Sequence, residues 1–318
     1  MKKILFYVDS FGLGHITREI ALARAIGDNA EIIFASNDHL EFIEKSLPSI
    51  KTEKTSLGLN LIPEGIGLNV EETKKANKDF IGKFETNIES ETKRIDRLKP
   101  DVIIADIPAE PLLAAEKSGI PIVAISNFGW TAIIEHVFGK DSDEYKKYSE
   151  AYSNASKTLV LPFSEPMRQF SNKKRVGLLR RRITRNLGKI PGIIATFGKS
   201  GEVISAGTFF RFIPDEVIES QDYVASADAI FSKPSYGIAS EAISAGIPLF
   251  LKKRNDFPES DHILRQLEGA MVVPEWVDAM EFIEREMKNL DIEAIERMRD
   301  RYMKNSDSEI AETILDMC

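Results

Sequence analysis

Cysteine is nearly absent: among 318 residues it occurs once, as Cys318. That excludes a disulfide framework, a CxxC metal knuckle and a buried thiol nucleophile, and it makes a reducing, cytoplasmic location the expectation. Long apolar runs are missing too. Met1-Lys2-Lys3 has the basic flank of a leader, but the apolar stretch Ile4 to Val8 meets Asp9 at once and reads as a first strand. Nothing approaches the roughly 20 apolar residues that cross a bilayer, so any membrane contact would be peripheral.

Basic residues are not in excess. Lys and Arg number 42 against 50 Asp and Glu, a net charge of −8, which argues against nucleic acid as a partner. One local exception runs from Lys173 to Arg185 (Lys173, Lys174, Arg175, Arg180, Arg181, Arg182, Arg185). It reads either as a solvated edge near a domain junction or as a surface drawing an anionic acceptor or lipid. Metal-binding patterns are sparse. His39, His136 and His262 are scattered without helical spacing, and Asp141-Ser-Asp143 lies in a polar run with no strand before it. A metal-free mechanism without a cofactor is expected.

What is present is a well-packed composition, 43% apolar and 29% charged, of a length suited to two domains. The opening reads as strand (Ile4 to Val8), glycine loop (Ser10 to His15), helix (Thr17 to Ile26) and strand (Glu31 to Ala35), a βαβ unit. Residues 64–99 are charged and helix-permissive, and are expected as helix on the outside of the sheet. An internal echo divides the chain. Asp101-Val-Ile-Ile-Ala and Asp228-Ala-Ile-Phe-Ser stand the same distance ahead of Gly119-Ile-Pro121 and Gly246-Ile-Pro248, each of which opens another strand. The glycine ends a helix where φ > 0 is wanted, and the proline starts a strand without needing its N–H. The expected fold is therefore α/β: two Rossmann-like, doubly wound domains facing across a cleft, residues 1–160 and 161–318. The change-over is expected near Leu159 to Arg185, and helices are expected from Pro274 onward.

Four segments carry candidate chemistry. Gly12-Leu-Gly14-His15 lies between strand and helix, where glycines permit a tight turn and the helix start offers N–H groups to an anion or hydroxyl. As a dinucleotide fingerprint it fails at Thr17, and Asp38 meets only loosely the ribose-reading position. His15 suits a general base or substrate contact, or simply a filled corner. Lys233-Pro-Ser235-Tyr236-Gly237 follows the second half's strand and opens a helix whose amino end suits a diphosphate. Glu241, one turn on, either accepts a ribose's hydroxyls or merely suits the dipole. Gly198, Lys199 and Ser200 either cradle phosphate or form a plain turn. Finally, Arg254, Asp256 and Glu259 follow the strand Leu249 to Leu251 at its carboxyl end, where open α/β sheets hold ligands, and suit phosphate and sugar hydroxyls.

With those residues located, GLGHITR at 12–18, followed by Ala21-Leu-Ala, resembles the opening of GT-B glycosyltransferases, including the UDP-N-acetylglucosamine transferase of peptidoglycan synthesis. Ser126-Asn-Phe-Gly-Trp130, Ala227 through Ala242, and Arg254 through Glu259 are similar to the glycosyltransferase-like amino-terminal region of L-arabinokinases. The resemblance implies a metal-independent, inverting transfer of a sugar from a UDP-linked donor to a hydroxyl acceptor. It puts Glu241 at the ribose, Ser235 to Gly237 at the diphosphate, and His15 on the acceptor side. The span between Gly201 and Tyr223 is too short for a complete strand–helix repeat, so the donor half is expected to be shortened. A non-catalytic nucleotide-sugar sensor and a nucleotide-sugar 2-epimerase are the alternatives.

Overall fold

The computed structural model describes residues 1–196, 210–212, 218–275 and 279–318. In chain order the strands of the first half are β1 (Lys2–Val8), β2 (Ala30–Ser36), β3 (Lys51–Lys54), β4 (Pro63–Glu64), β5 (Gly67–Leu68), β6 (Val102–Asp106), β7 (Ile122–Ser126), β8 (Lys157–Val160) and β9 (Lys173–Arg175). Those that follow are β10 (Ile190–Thr196), β11 (Phe210–Phe212), β12 (Ala227–Ser232), β13 (Leu249–Leu251) and β14 (Met271–Val272). The helices up to the change-over are α1 (Leu13–Ile26), α2 (Leu40–Ser46), α3 (Val70–Ala76), α4 (Phe80–Leu98), α5 (Glu110–Ser118), α6 (Trp130–Phe138) and α7 (Asp143–Ser153). After it come α8 (Ser220–Val224), α9 (Tyr236–Ala245), α10 (Pro258–Gln266), α11 (Ala279–Glu286), α12 (Ile292–Tyr302) and α13 (Asp307–Leu315).

Two parallel sheets result. The first runs β3-β2-β1-β6-β7-β8-β9 and the second β11-β10-β12-β13-β14, so strand order reverses between β1 and β6 in one and between β10 and β12 in the other. A crevice opens at the carboxyl ends of the strands wherever a doubly wound sheet reverses in this way, and ligands bind there. The first sheet extends to Arg175, past residue 160, because β9 pairs in parallel with β8.

Both faces of each sheet are covered, which explains the near-continuous apolar strands. Along β1, Ile4, Phe6 and Val8 join the core shared with α1, whereas Leu5 and Tyr7 join the opposite core under α4 and α5. The α1 core does not stop at the first sheet: it continues through Tyr236, Ile243 and Ile314, so α1, α9 and α13 lock the halves together. The two echoed glycines take left-handed conformations at helix ends, Gly119 at φ 68° and Gly246 at φ 73°. No described helix is long and apolar enough to cross a membrane.

The expected helix over 64–99 needs correction at its start. Pro63, Gly65 and Gly67 set an antiparallel hairpin, β4–β5, before α3 and α4 begin. Turn residues outweighed the helix-permissive composition there. Beyond them, Phe80, Phe84, Ile88, Glu91 and Ile95 form the buried stripe of α4.

The basic cluster is largely the solvated edge expected, with Lys173, Lys174, Arg175, Arg182 and Arg185 exposed, but Arg181 is buried. Beyond β9 the chain runs as an extended strap, and its arginines are taken by acids of the second half. Arg180 and Arg182 meet Asp307, Arg181 meets Glu241, and Arg185 meets Asp222.

Candidate functional site

The amino ends of α1 and α9 converge. Gly12 opens α1 at φ 79°, a left-handed conformation that admits glycine readily, and Ser235 opens α9 without capping it through its side chain. Gly237 lies so close to Gly14 that an added Cβ would stand 3.7 Å from Gly14 Cα. Between these turns, the loops after β12 and β13 and the β4–β5 hairpin lies a cavity of about 490 Å³. Its walls include Gly12, Gly14 and His15 from one half, and Lys233, Ser235, Tyr236, Gly237, Glu241, Arg254 and Glu259 from the other.

On the first sheet's side His15 belongs to a buried ion cluster. Asp106 sits at the carboxyl end of β6, fully buried, and His15 Nδ1 lies 2.8 Å from its Oδ1. Arg18, one turn further along α1, holds both oxygens of Asp106. It also donates to Asn127 Oδ1 at 2.9 Å and to Ser126 Oγ at 3.0 Å. Burial alone would raise the Asp106 carboxyl. Arg18 first, then His15, outweigh it and hold the group below the usual carboxylate range. Glu19, next on the helix and equally buried, is pushed well above its ordinary value by burial and then by Asp106. Arg18 Nη2 also lies 2.9 Å from His15 Nδ1, but its two hydrogens are accepted by Asp106 and Ser126. The His15 Nδ1 proton therefore points to Asp106, and Nε2 is left as the ring atom able to take a proton.

Aromatic rings surround this histidine. Phe128 and Trp130 stand 5.7 and 6.0 Å from it between centroids, and Phe11 stacks on Phe257 of the other half at 5.9 Å. Trp130 Nε1 donates to Asp9 Oδ2 at 2.9 Å; burial, outweighing the pull of His15, raises the Asp9 carboxyl.

On the second sheet's side Glu241 projects from α9 and is 7% exposed. Arg181 of the strap meets its Oε1 through Nε at 2.9 Å and Nη2 at 2.8 Å, and Arg181 is itself held by Ile218 O and by Ser220 Oγ at 2.8 Å. Arg254 lies over the Phe257 ring, its Cζ 3.3 Å from the centroid, and donates through Nε to Ile66 O at 2.7 Å. Burial lowers its pKa to about 10, so it keeps its charge at neutral pH in a dry setting. Asn127 Nδ2 reaches across to Glu259 Oε1 at 2.9 Å.

Asp256 is a correction. Its backbone is left-handed at φ 51°, its side chain is half exposed, and it meets His136 Nε2 at 3.2 Å. The turn that aims Arg254 and Phe257 inward aims Asp256 outward. Gly198, Lys199 and Ser200 lie outside the described residues. Arg18, Asp106, Asn127 and Arg181 escaped the sequence reading as site residues. The available signals were an aspartate ending a buried Val-Ile-Ile-Ala strand, and arginines spaced so that alternate ones face alternate sides.

No protein-family model matches the chain. L-arabinokinase of Arabidopsis thaliana is 23% identical over 305 residues, covering 83% of this chain, which spans 29% of that protein's length. Among solved structures, the glycosyltransferase VinC in complex with dTDP superposes at a TM-score of 0.67, with 16% identity and 99% of each chain covered. UGT89C1 of Arabidopsis thaliana complexed with UDP-L-rhamnose gives 0.67 at 13% identity, with 100% of this chain and 99% of that one covered. The glycosyltransferase SnogD from Streptomyces nogalater gives 0.67 at 15%, with 99% of each chain covered. The fold is the GT-B fold.

Proposed function

We propose that this cleft binds a nucleoside diphosphate sugar, uridine-linked, and transfers the sugar with inversion to a hydroxyl of an acceptor held by the first half. The observation that carries the reading is that His15, backed by Asp106, and Glu241, backed by Arg181, face one cavity from opposite halves. The complexes of relatives with dTDP and with UDP-L-rhamnose support a nucleoside diphosphate ligand. The residues up to the strap form the acceptor unit, and those after it the donor unit.

The chemistry follows from the residues. The acceptor O–H gives its proton to His15 Nε2 as its oxygen attacks the anomeric carbon, while the bond to the diphosphate oxygen breaks and its electron pair leaves with the diphosphate. Asp106 stabilises the imidazolium that forms, as an oriented carboxylate does for a histidine base. The amino end of α9, with Lys233 and Arg254, offsets the charge gathering on the leaving diphosphate. Glu241 accepts from the ribose hydroxyls. The phenyl and indole faces beside His15 suit the apolar face of an acceptor ring.

The test is release of UDP from UDP-sugars over a panel of hydroxyl acceptors, followed by mass spectrometry of the product. Acceptor-dependent UDP release that vanishes in His15→Ala supports the reading. Tight donor binding by calorimetry, with no UDP released in any acceptor's presence, would replace it with that of a non-catalytic nucleotide-sugar sensor.

A further inference from the structure

The two contacts that Arg181 makes with Glu241 both fall on one oxygen. Nε and Nη2 meet Oε1 at 2.9 and 2.8 Å, and among the described residues no hydrogen bond to Oε2 is made. Both side chains are nine-tenths buried and both line the cavity. The guanidinium cannot swing away easily. It is anchored from behind by Ile218 O and Ser220 Oγ, and the strap that carries it is fixed on either side by Arg180 and Arg182 on Asp307.

A carboxylate alone on a helix has two rotatable bonds beyond Cβ and two equivalent oxygens. Clamped through one oxygen, it presents the other as an acceptor on the cavity wall. An acceptor so placed favours a ligand that offers it two vicinal hydroxyls over one that keeps only the 3′-hydroxyl, because the second forgoes one hydrogen bond to a charged group. The dTDP and UDP ligands of the relatives differ at this point: one sugar ring lacks a 2′-hydroxyl that the other carries.

We infer that Arg181 is a positioning residue that fixes Glu241 Oε2 as a reader of vicinal hydroxyls, so that the site selects ribonucleotides over their 2′-deoxy counterparts. The inference rests on the donor reading above and adds to it the residue that sets the selectivity.

Calorimetry on the full chain with UDP and with 2′-deoxy-UDP tests it. The native protein prefers UDP by about tenfold to a hundredfold, the range of one hydrogen bond to a charged group. In Arg181→Met the preference falls to within about threefold through weaker UDP binding, while 2′-deoxy-UDP binds as before. Arg181→Lys, which keeps a single donor for Oε1, restores part of the ratio. In the transfer assay, donor KM rises more in Arg181→Met than kcat falls. A folded Arg181→Met protein with an undiminished preference overturns the inference. So does a native protein that binds both nucleotides equally, which leaves the donor reading standing. A native protein that binds neither removes both. Should Arg181→Met fail to fold, Glu241→Gln is isosteric, keeps an acceptor for Arg181 and presents an amide N–H₂ in place of Oε2. Loss of the preference there supports the inference, and its persistence overturns it.

Discussion

Asn127 joins the two halves through one amide: its Oδ1 accepts from Arg18 Nη1 at 2.9 Å and its Nδ2 donates to Glu259 Oε1 at 2.9 Å. All three residues are buried. Asn127→Ala strips a partner from a buried cation and a buried carboxylate at once, and is expected to lower unfolding stability by about 2–4 kcal/mol. A double-mutant cycle with Glu259→Ala in urea titrations checks the link. Coupling of about 0.5–3 kcal/mol is expected, and additive losses would mean that the contact carries no energy.

His15 and Asp106 separate chemistry from support. His15→Ala is expected to lower kcat about 10²- to 10⁴-fold with little change in donor binding. Asp106→Asn leaves Arg18 buried without a counter-charge, and is expected to cost about 3–5 kcal/mol as well as activity. Steady-state kinetics beside chemical denaturation distinguish the two patterns. Equal losses of donor affinity and turnover in His15→Ala would remove the base assignment.

Glu165 gives the fold a pH dependence. Its carboxylate accepts from Gly129 N at 2.7 Å, but burial, aided by the charges of Glu259 and Glu135, lifts its pKa from 4.5 to about 7. The native state therefore holds a proton that the unfolded chain gives up near 4.5. Between those values the native state binds more protons, so stability declines as pH rises and the full cost is present above pH 7. Glu165→Gln is expected to flatten this slope and to stabilise the protein at pH 8 by about 1–3 kcal/mol. Denaturation midpoints at pH 5 and pH 8 check it, and parallel pH profiles of the two proteins would contradict it.

Gly67 lies against the other half's backbone: a Cβ there would stand 2.3 Å from Asn255 O. Neither partner is a flexible side-chain tip, so Gly67→Ala must push the β4–β5 hairpin off the loop bearing Arg254. A cost of about 1–3 kcal/mol is expected, seen as a fall of several degrees in Tm. Hydrogen exchange should quicken over residues 61–68, where Arg254 loses its hold on Ile66 O. Unchanged exchange would show that the hairpin adapts without release.

How far the sequence foretold this is clear at particular residues. Apolar runs at Ile4, Val102, Ile122 and Ala229 sufficed for the parallel strands, and the twin Gly-Ile-Pro units for the doubled architecture, because burial on both faces and left-handed helix ends are local demands. The placing of His15 beside Glu241's cavity was legible for the same reason, since both follow strand ends at a reversal of strand order. The partners of those residues were not legible. Asp106 lies far from His15 in sequence, and Arg181 far from Glu241, so only the packing of α1 on β6 and of the strap on α9 brings each pair together. Asp256 was misread because composition does not tell which residue of a polar loop turns inward.

The strap has a consequence for chain length. Arg180 and Arg182 face Asp307 on α13 while Arg181 between them faces Glu241 on α9, the two-residue alternation of an extended chain. A connection between two lobes usually accepts an inserted or deleted residue at small entropic expense. Here three arginines in a row would still offer a guanidinium to both acids after a one-residue shift, but Gly177, where an added Cβ would stand 2.0 Å from Lys304 O, and the fully buried Leu178 and Leu179 admit no such shift. The connection thus acts as a ruler from Gly177 to Arg181, and tolerance of altered length should return beyond it, where residues 182–189 are largely exposed.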